Sequence, residues 1–147
     1  MKTILVPIDF SGASKPVVAE AVKLTRAVRA RLVLLHVVQP PVVTDNDVGP
    51  QMRAEYAATA SEAAAKLLTA LAKPLRTKGV AVETKHMLGN PGQCIVDQAA
   101  TLDADYIVLG SHGHGAFYEL IVGSTTSRVL KQARCPIVVV PQKKTRK

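Results

Sequence analysis

The residues best suited to chemistry are Gly110-Ser111-His112-Gly113 and, after nine intervening residues, Gly123-Ser124-Thr125-Thr126. They lie between the apolar run Tyr106 to Leu109 and an apolar-periodic segment with Val129, Leu130 and Ala133. A glycine-interrupted loop between a buried strand and a helix lets main-chain N–H groups converge on a phosphate, aided by the partial positive charge of the helix N-terminus. Nucleotide binding is the chemistry this suggests. The familiar phosphate loops do not fit. A Walker loop needs Lys beside its Ser/Thr, and here the next lysine is Lys131. The dinucleotide fingerprint belongs in the first strand-to-helix turn, which is Asp9-Phe10-Ser11-Gly12 and has one glycine.

The elements that must position this loop alternate along the chain. Thr3 to Ile8 reads as a first strand, near-continuously apolar and so covered on both faces. A helix is expected from Ser14 as N-cap, with Pro16 in its first turn. Arg31 to Val38 is a second strand, in which His36 reads as a satisfied core histidine. Loop signals fill the segment up to Pro50. A long helix is then expected from about Met52, with its apolar stripe at Tyr56, Ala60, Ala63, Leu67 and Leu71; Pro74 kinks it or marks its final turn before Lys78-Gly79 closes it. Val80 to Leu88 alternates as a third, edge-like strand; Gly89-Asn90-Pro91-Gly92 reads as a loop, followed by a short helix through Leu102. Asp105 to Leu109 and Ile137 to Val140 supply strands four and five.

Strict alternation with Val-rich strands predicts a doubly wound, Rossmann-like α/β fold with a five-stranded parallel sheet and helices on both faces. The expected order is 3-2-1-4-5, given right-handed crossovers. That order opens a crevice beyond the carboxyl ends of strands 1 and 4, where ligands of such sheets bind. The segments meeting there are Pro7 to Ser11 and the glycine loop. Topology and motif thus point to one place.

Composition narrows the classes. The 147 residues, 48% hydrophobic, suit one domain over 1–141 and a basic tail over 142–147. Four of the eight net positive charges come from Lys143, Lys144, Arg146 and Lys147 in that tail. With aromatics at 3% there is little to stack bases on, so no nucleic-acid partner is expected, while the basicity suits an anionic ligand. No apolar run is long enough to span a membrane, and Met1-Lys2-Thr3 enters a strand without a signal-like segment; a cytoplasmic location is expected. Cys94 and Cys135 form no C-x-x-C pair and read as packed thiols.

Five segments in order resemble the universal stress protein family: Ile4 to Ser11, Leu35-His36-Val37, Gly89-Asn90-Pro91, the glycine loop, and Cys135 to Val140. The glycine loop is similar to the G-x2-G-x9-G-[S/T] phosphate loop of the family's ATP-binding branch. The resemblance implies ATP, with or without Mg²⁺, held by Pro7, Asp9, Val37, the loop residues Gly110, Ser111, His112, Gly113, His114, Gly115 and Ala116, and by Gly123, Ser124, Thr125 and Thr126. It implies that Val37 meets adenine through backbone groups. It implies that Asp9 accepts from a ribose hydroxyl or assists Mg²⁺, whereas the plain reading of Asp9 is a turn or cap residue. The glycines would let backbone approach phosphate closely, at positive φ where needed.

His112 and His114 lack a third metal ligand at credible spacing; they line the phosphate site or face solvent. Many family loops carry Arg where His114 stands, so ATP affinity is expected to rise on acidification if His114 faces phosphate, and His114→Arg to flatten that dependence. Three function classes follow: an ATP-binding regulatory stress-response module; a nucleotide-dependent transferase or slow ATP hydrolase; and a scaffold. No nucleophile, base and orienter set is visible, so turnover is at most slow hydrolysis or autophosphorylation on Ser124, Thr125 or Thr126. The uncharged edge Ile137 to Val140, supported by the resemblance, predicts an antiparallel homodimer, disrupted by Lys at Val139, or at Val138 if Val139 points inward.

Overall fold

The computed structural model describes residues 1–40, 49–111 and 122–142. Its elements are β1 (Lys2–Pro7), α1 (Ser14–Val28), β2 (Ala30–Val38), α2 (Pro50–Thr77), β3 (Val82–Leu88), α3 (Pro91–Thr101), β4 (Tyr106–Gly110), α4 (Ser124–Gln132) and β5 (Ile137–Val140). All strand pairs are parallel and the sheet order is β3-β2-β1-β4-β5, the order inferred from alternation. The reversal lies between β1 and β4. Those two strands pair at only two register positions, Ile4 with Tyr106 and Leu5 with Ile107, against six for β1 with β2.

Period-2 alternation divides the core between the two faces of the sheet. Ile4, Val6, Leu32, Leu34 and Val108 pack with α1 and α2 through Val17, Ala21, Leu68 and Ala72. Leu5, Val33, Leu35, Val37 and Ile107 pack with α3 and α4 through Ile95, Ala99 and Val129. Fully buried Leu, Ile and Val on both faces of β1, β2 and β4 explain why those strands read as unbroken apolar runs.

Several local expectations are corrected. Ser14 is the first residue of α1 rather than its cap; the cap position is Ala13, with no side-chain bond to the helix. In α2 the sheet-facing stripe is Ala64, Leu68 and Ala72, one position on from the expected one, while Tyr56 and Leu67 are half-exposed. A helix this rich in alanine and leucine has a wide apolar arc, and the sequence alone does not say which edge of it meets the sheet. The end of α2 is as expected: Pro74 sits in its final turn, which Gly79 closes at φ +82°. Residues 91 and 92, expected in a loop, open α3: Pro91 occupies its start, and Asn90 caps it by accepting from the Gln93 N–H at 3.1 Å. A Cβ at Gly92 would stand 2.7 Å from Arg128 Cδ on α4, so a larger residue there would displace the exposed Arg128 side chain. Cys94 is buried and Cys135 half-buried, and burial is the main cause raising both thiol pKa values.

Candidate functional site

A crevice of about 730 Å³ opens where the strand order reverses, at the carboxyl ends of β1, β2 and β4. Its volume falls in the range of small-molecule sites, roughly 300–1,000 Å³. Among the predicted residues, Pro7, Asp9, Val37, Gly110, Gly123, Ser124, Thr125 and Thr126 border it. Ser111 stands at the rim, its N–H bonded to Val140 O at 3.0 Å and its carbonyl accepting from the Gly123 N–H at 3.1 Å. This pair ties the two ends of the glycine loop together. His112, Gly113, His114, Gly115 and Ala116 lie outside the described residues, as do the middle of the Pro40-to-Pro50 segment and the tail from residue 143.

The floor of the crevice is the start of α4. Gly123 is its cap residue, and its first turn carries neither a capping side chain nor an acidic residue. Helix geometry leaves the first N–H groups without intrahelical partners. The N–H of Ser127 reaches Gly123 O at 2.8 Å, so those of Ser124, Thr125 and Thr126 are the ones turned outward, where the helix dipole is positive. Gly123 itself has φ −57°, so the expected positive φ is absent there; its Cβ would meet only Ser111 O, at 3.8 Å. Thr126 differs from its neighbours: it is buried, and its hydroxyl donates to Gly110 O at 2.9 Å, fixing the end of β4 to α4. Its hydroxyl proton is thereby engaged, leaving its N–H for a ligand. Thr126→Val should cost about 1–3 kcal/mol by leaving the Gly110 carbonyl unpaired, read as a lowered urea midpoint; an unchanged midpoint would show that this bond carries no weight.

The opposite wall is the end of β1. Asp9 accepts from the Ser11 N–H at 2.9 Å and the Ser14 hydroxyl at 3.2 Å, so it does act as the turn residue of the plain reading while also bordering the crevice. The turn places Phe10 at φ 60°, a left-handed conformation costing an L-residue about 1–2 kcal/mol. Phe10 is held there by packing against the α1/α2 core and by its ring contact with His36, centroids 4.6 Å apart.

Val37 gains a physical rationale that sequence could not supply. Main-chain groups along a parallel strand face alternate neighbours. Leu35 O accepts from Ile8 N on the β1 side, whereas Val38 O accepts from Gly89 N on the β3 side. Val37 therefore turns its N–H and C=O toward β1, past the point where β1 ends at Pro7. These are groups able to read the edge of a planar base.

Sequence reading missed the third wall. Tyr56, Ala60, Ala63 and Leu67 of α2, assigned to the core, line the crevice, together with His36 and Phe10. His36 is satisfied, its Nδ1 lying 2.7 Å from Ile8 O, but it is half-buried at the crevice rather than in the core. Its place near the carboxyl end of a strand, beside Val37, was the available signal. A second cavity, of about 580 Å³, lies at the other rim of the sheet around Lys2, Thr3, Arg31 and Asp105. There Asp105 and Arg31 are bound to Thr3 at 2.8 and 2.9 Å, and among the described residues its lining includes no helix start.

Fold and crevice together define a class: a doubly wound α/β protein with a crevice at the topological switch point and an open helix N-terminus in its floor. Within this class the chain belongs to the universal stress protein family, whose profile matches residues 1–141. The Universal stress protein Sll1654 of Synechocystis is 34% identical over 95% of this chain and 85% of its own length. Among solved structures, the Lactobacillus plantarum universal stress protein UspA is 31% identical with a TM-score of 0.74, covering 95% of this chain and 97% of that one. MJ0577, a universal stress protein of Methanocaldococcus jannaschii, is 28% identical with a TM-score of 0.81 and 98% coverage of both chains. Among the described residues no helix is long and apolar enough to cross a membrane.

Proposed function

We propose that this chain is an ATP-binding regulatory module of the stress response, holding the nucleotide across the β1/β4 switch point. The observation that carries the reading is the convergence on one crevice of the outward N–H groups of Ser124 to Thr126, the turned-out main chain of Val37 and the carboxylate of Asp9. Phosphates would rest on the α4 N-terminus and the glycine loop, the base on Val37, and the ribose between them. Asp9 is the one carboxylate among the described residues lining the crevice, and it suits a Mg²⁺ that keeps several waters and takes its other ligands from phosphate oxygens. Two universal stress proteins of the same fold were solved as complexes, one with cAMP and one, from Archaeoglobus fulgidus, with dAMP, at 20% and 22% identity to this chain. They bear on what the fold can hold; the case for ATP here rests on this chain's own glycine loop.

The reading includes a cytoplasmic homodimer formed through β5, with residues 1–141 as the nucleotide-binding domain. Among the described residues the crevice presents one carboxylate and one imidazole, with no thiol or amine beside them, which favours binding over turnover. Purified protein should be denatured and its released small molecules separated by chromatography. ATP is the expected product. ADP or AMP in its place would favour the hydrolase reading, and protein that carries no nucleotide and binds no added ATP would overturn the assignment.

A further inference from the structure

His36 is one of the polar side chains of the crevice, with Ser14, Gln39 and Tyr56, that the nucleotide reading leaves unused. It projects from β2 on the face covered by α1 and α2, the parity of Leu32 and Leu34. Its Nδ1 lies 2.7 Å from the carbonyl oxygen of Ile8. A carbonyl oxygen can only accept, so Nδ1 carries the proton and the neutral ring keeps its lone pair on Nε2. The ring is also held against Phe10, at an interplanar angle of 42°. Tautomer and orientation are thus set before any ligand arrives.

Nε2 has no hydrogen-bond partner among the described residues, yet it is not among the side-chain atoms sealed from solvent. The residue borders the crevice, and Nε2 is the acceptor it has left to offer a ligand there. Tyr56, Ala60 and Ala63 of α2 line the same crevice with flat or small side chains. The next residue, Val37, turns its main-chain N–H and C=O toward the place where β1 has ended. Two acceptors, Nε2 and the Val37 carbonyl, are thereby carried by adjacent residues, with one main-chain donor.

We propose that His36 is a specificity-determining residue whose Nε2 accepts a hydrogen bond from the 6-amino group of a purine, selecting 6-amino over 6-oxo purine nucleotides. This rests on the nucleotide reading above and adds the base preference to it. A 6-amino group has two hydrogens, one for each acceptor. A 6-oxo purine would set its own carbonyl against both and leave them unpaired, and sites built to hydrogen-bond a substrate group discriminate strongly against analogues lacking it.

The test is competition between ATP and inosine triphosphate for the full-length chain. ATP should bind at least about tenfold more tightly. His36→Asn keeps an amide donor for Ile8 O and removes Nε2; its ratio should fall to within about twofold. ATP binding with a ratio near one, or with a large ratio that His36→Asn leaves unaltered, overturns the assignment to His36 and leaves the nucleotide reading standing. A wild-type chain that binds neither triphosphate removes both. Should His36→Asn fail to fold, the wild-type ratio decides alone.

Discussion

Replacing Gly123 by Val should weaken ATP binding by about tenfold or more, equivalent to at least about 1.4 kcal/mol, in a protein that remains folded. The reason is local. Gly123 has an ordinary φ of −57°, and its Cβ would meet only Ser111 O at 3.8 Å, so the chain itself accommodates a side chain there. The change of cap residue costs the helix at most about 1 kcal/mol. What a branched side chain would obstruct is the space in front of the α4 N-terminus, where a phosphate oxygen must come within hydrogen-bonding distance of the N–H groups of Ser124 to Thr126. Calorimetry with ATP, alongside a thermal melt, separates the two effects. A folded Gly123→Val protein with wild-type affinity would place the phosphates elsewhere.

The second large effect concerns assembly. Strand β5 ends the sheet beside β4, and its most exposed side chain is Val138, at 37%, while Val139 is half-buried. Of the two positions marked for a charge in the sequence, Val138 is therefore the one to change. An unpaired, uncharged apolar edge is what soluble proteins usually cover, and a second copy about a two-fold axis is the simplest cover. The wild-type chain should sediment as a dimer at micromolar concentration. Val138→Lys, placing like charges across the axis, should sediment as a monomer. A monomeric wild type, or an unchanged dimer in the variant, removes this interface.

The sheet was legible because its strands carry their own evidence: Ile4 to Val6, Leu32 to Leu35 and Ile107 to Leu109 are apolar at every position, which only a strand covered on both faces requires. The order followed from crossover handedness, and the crevice from the order. Helix faces were less legible. Tyr56, Ala60, Ala63 and Leu67 obey the same periodicity as a core stripe, and which edge of a broad apolar arc meets the sheet depends on where the helix crosses it. Pro91 was read as loop chemistry although proline is equally at home at a helix start, and Asn90 supplied the cap that would have decided it. His36 shows a different limit: its hydrogen bond to Ile8 joins residues 28 apart in sequence, and no local pattern announces such a partner.

The short pairing of β1 with β4 bears on how the molecule yields to force or heat. Two register pairs join the β3-β2-β1 sheet half to the β4-β5 half, and α1 crosses the line on one face. The crevice continues that line as a gap, like an unfastened end of a zipper. A nucleotide touching Val37 on one half and the α4 N-terminus on the other would supply the missing rungs and act as a clasp. Amides along the Leu5–Ile107 seam should then be slowed in hydrogen exchange by ATP more than those between β2 and β3. At a hundredfold excess over Kd the clasp should add about 2.7 kcal/mol to global stability. The fold would thus report its own occupancy as stiffness, a property a partner could sense without contacting the nucleotide.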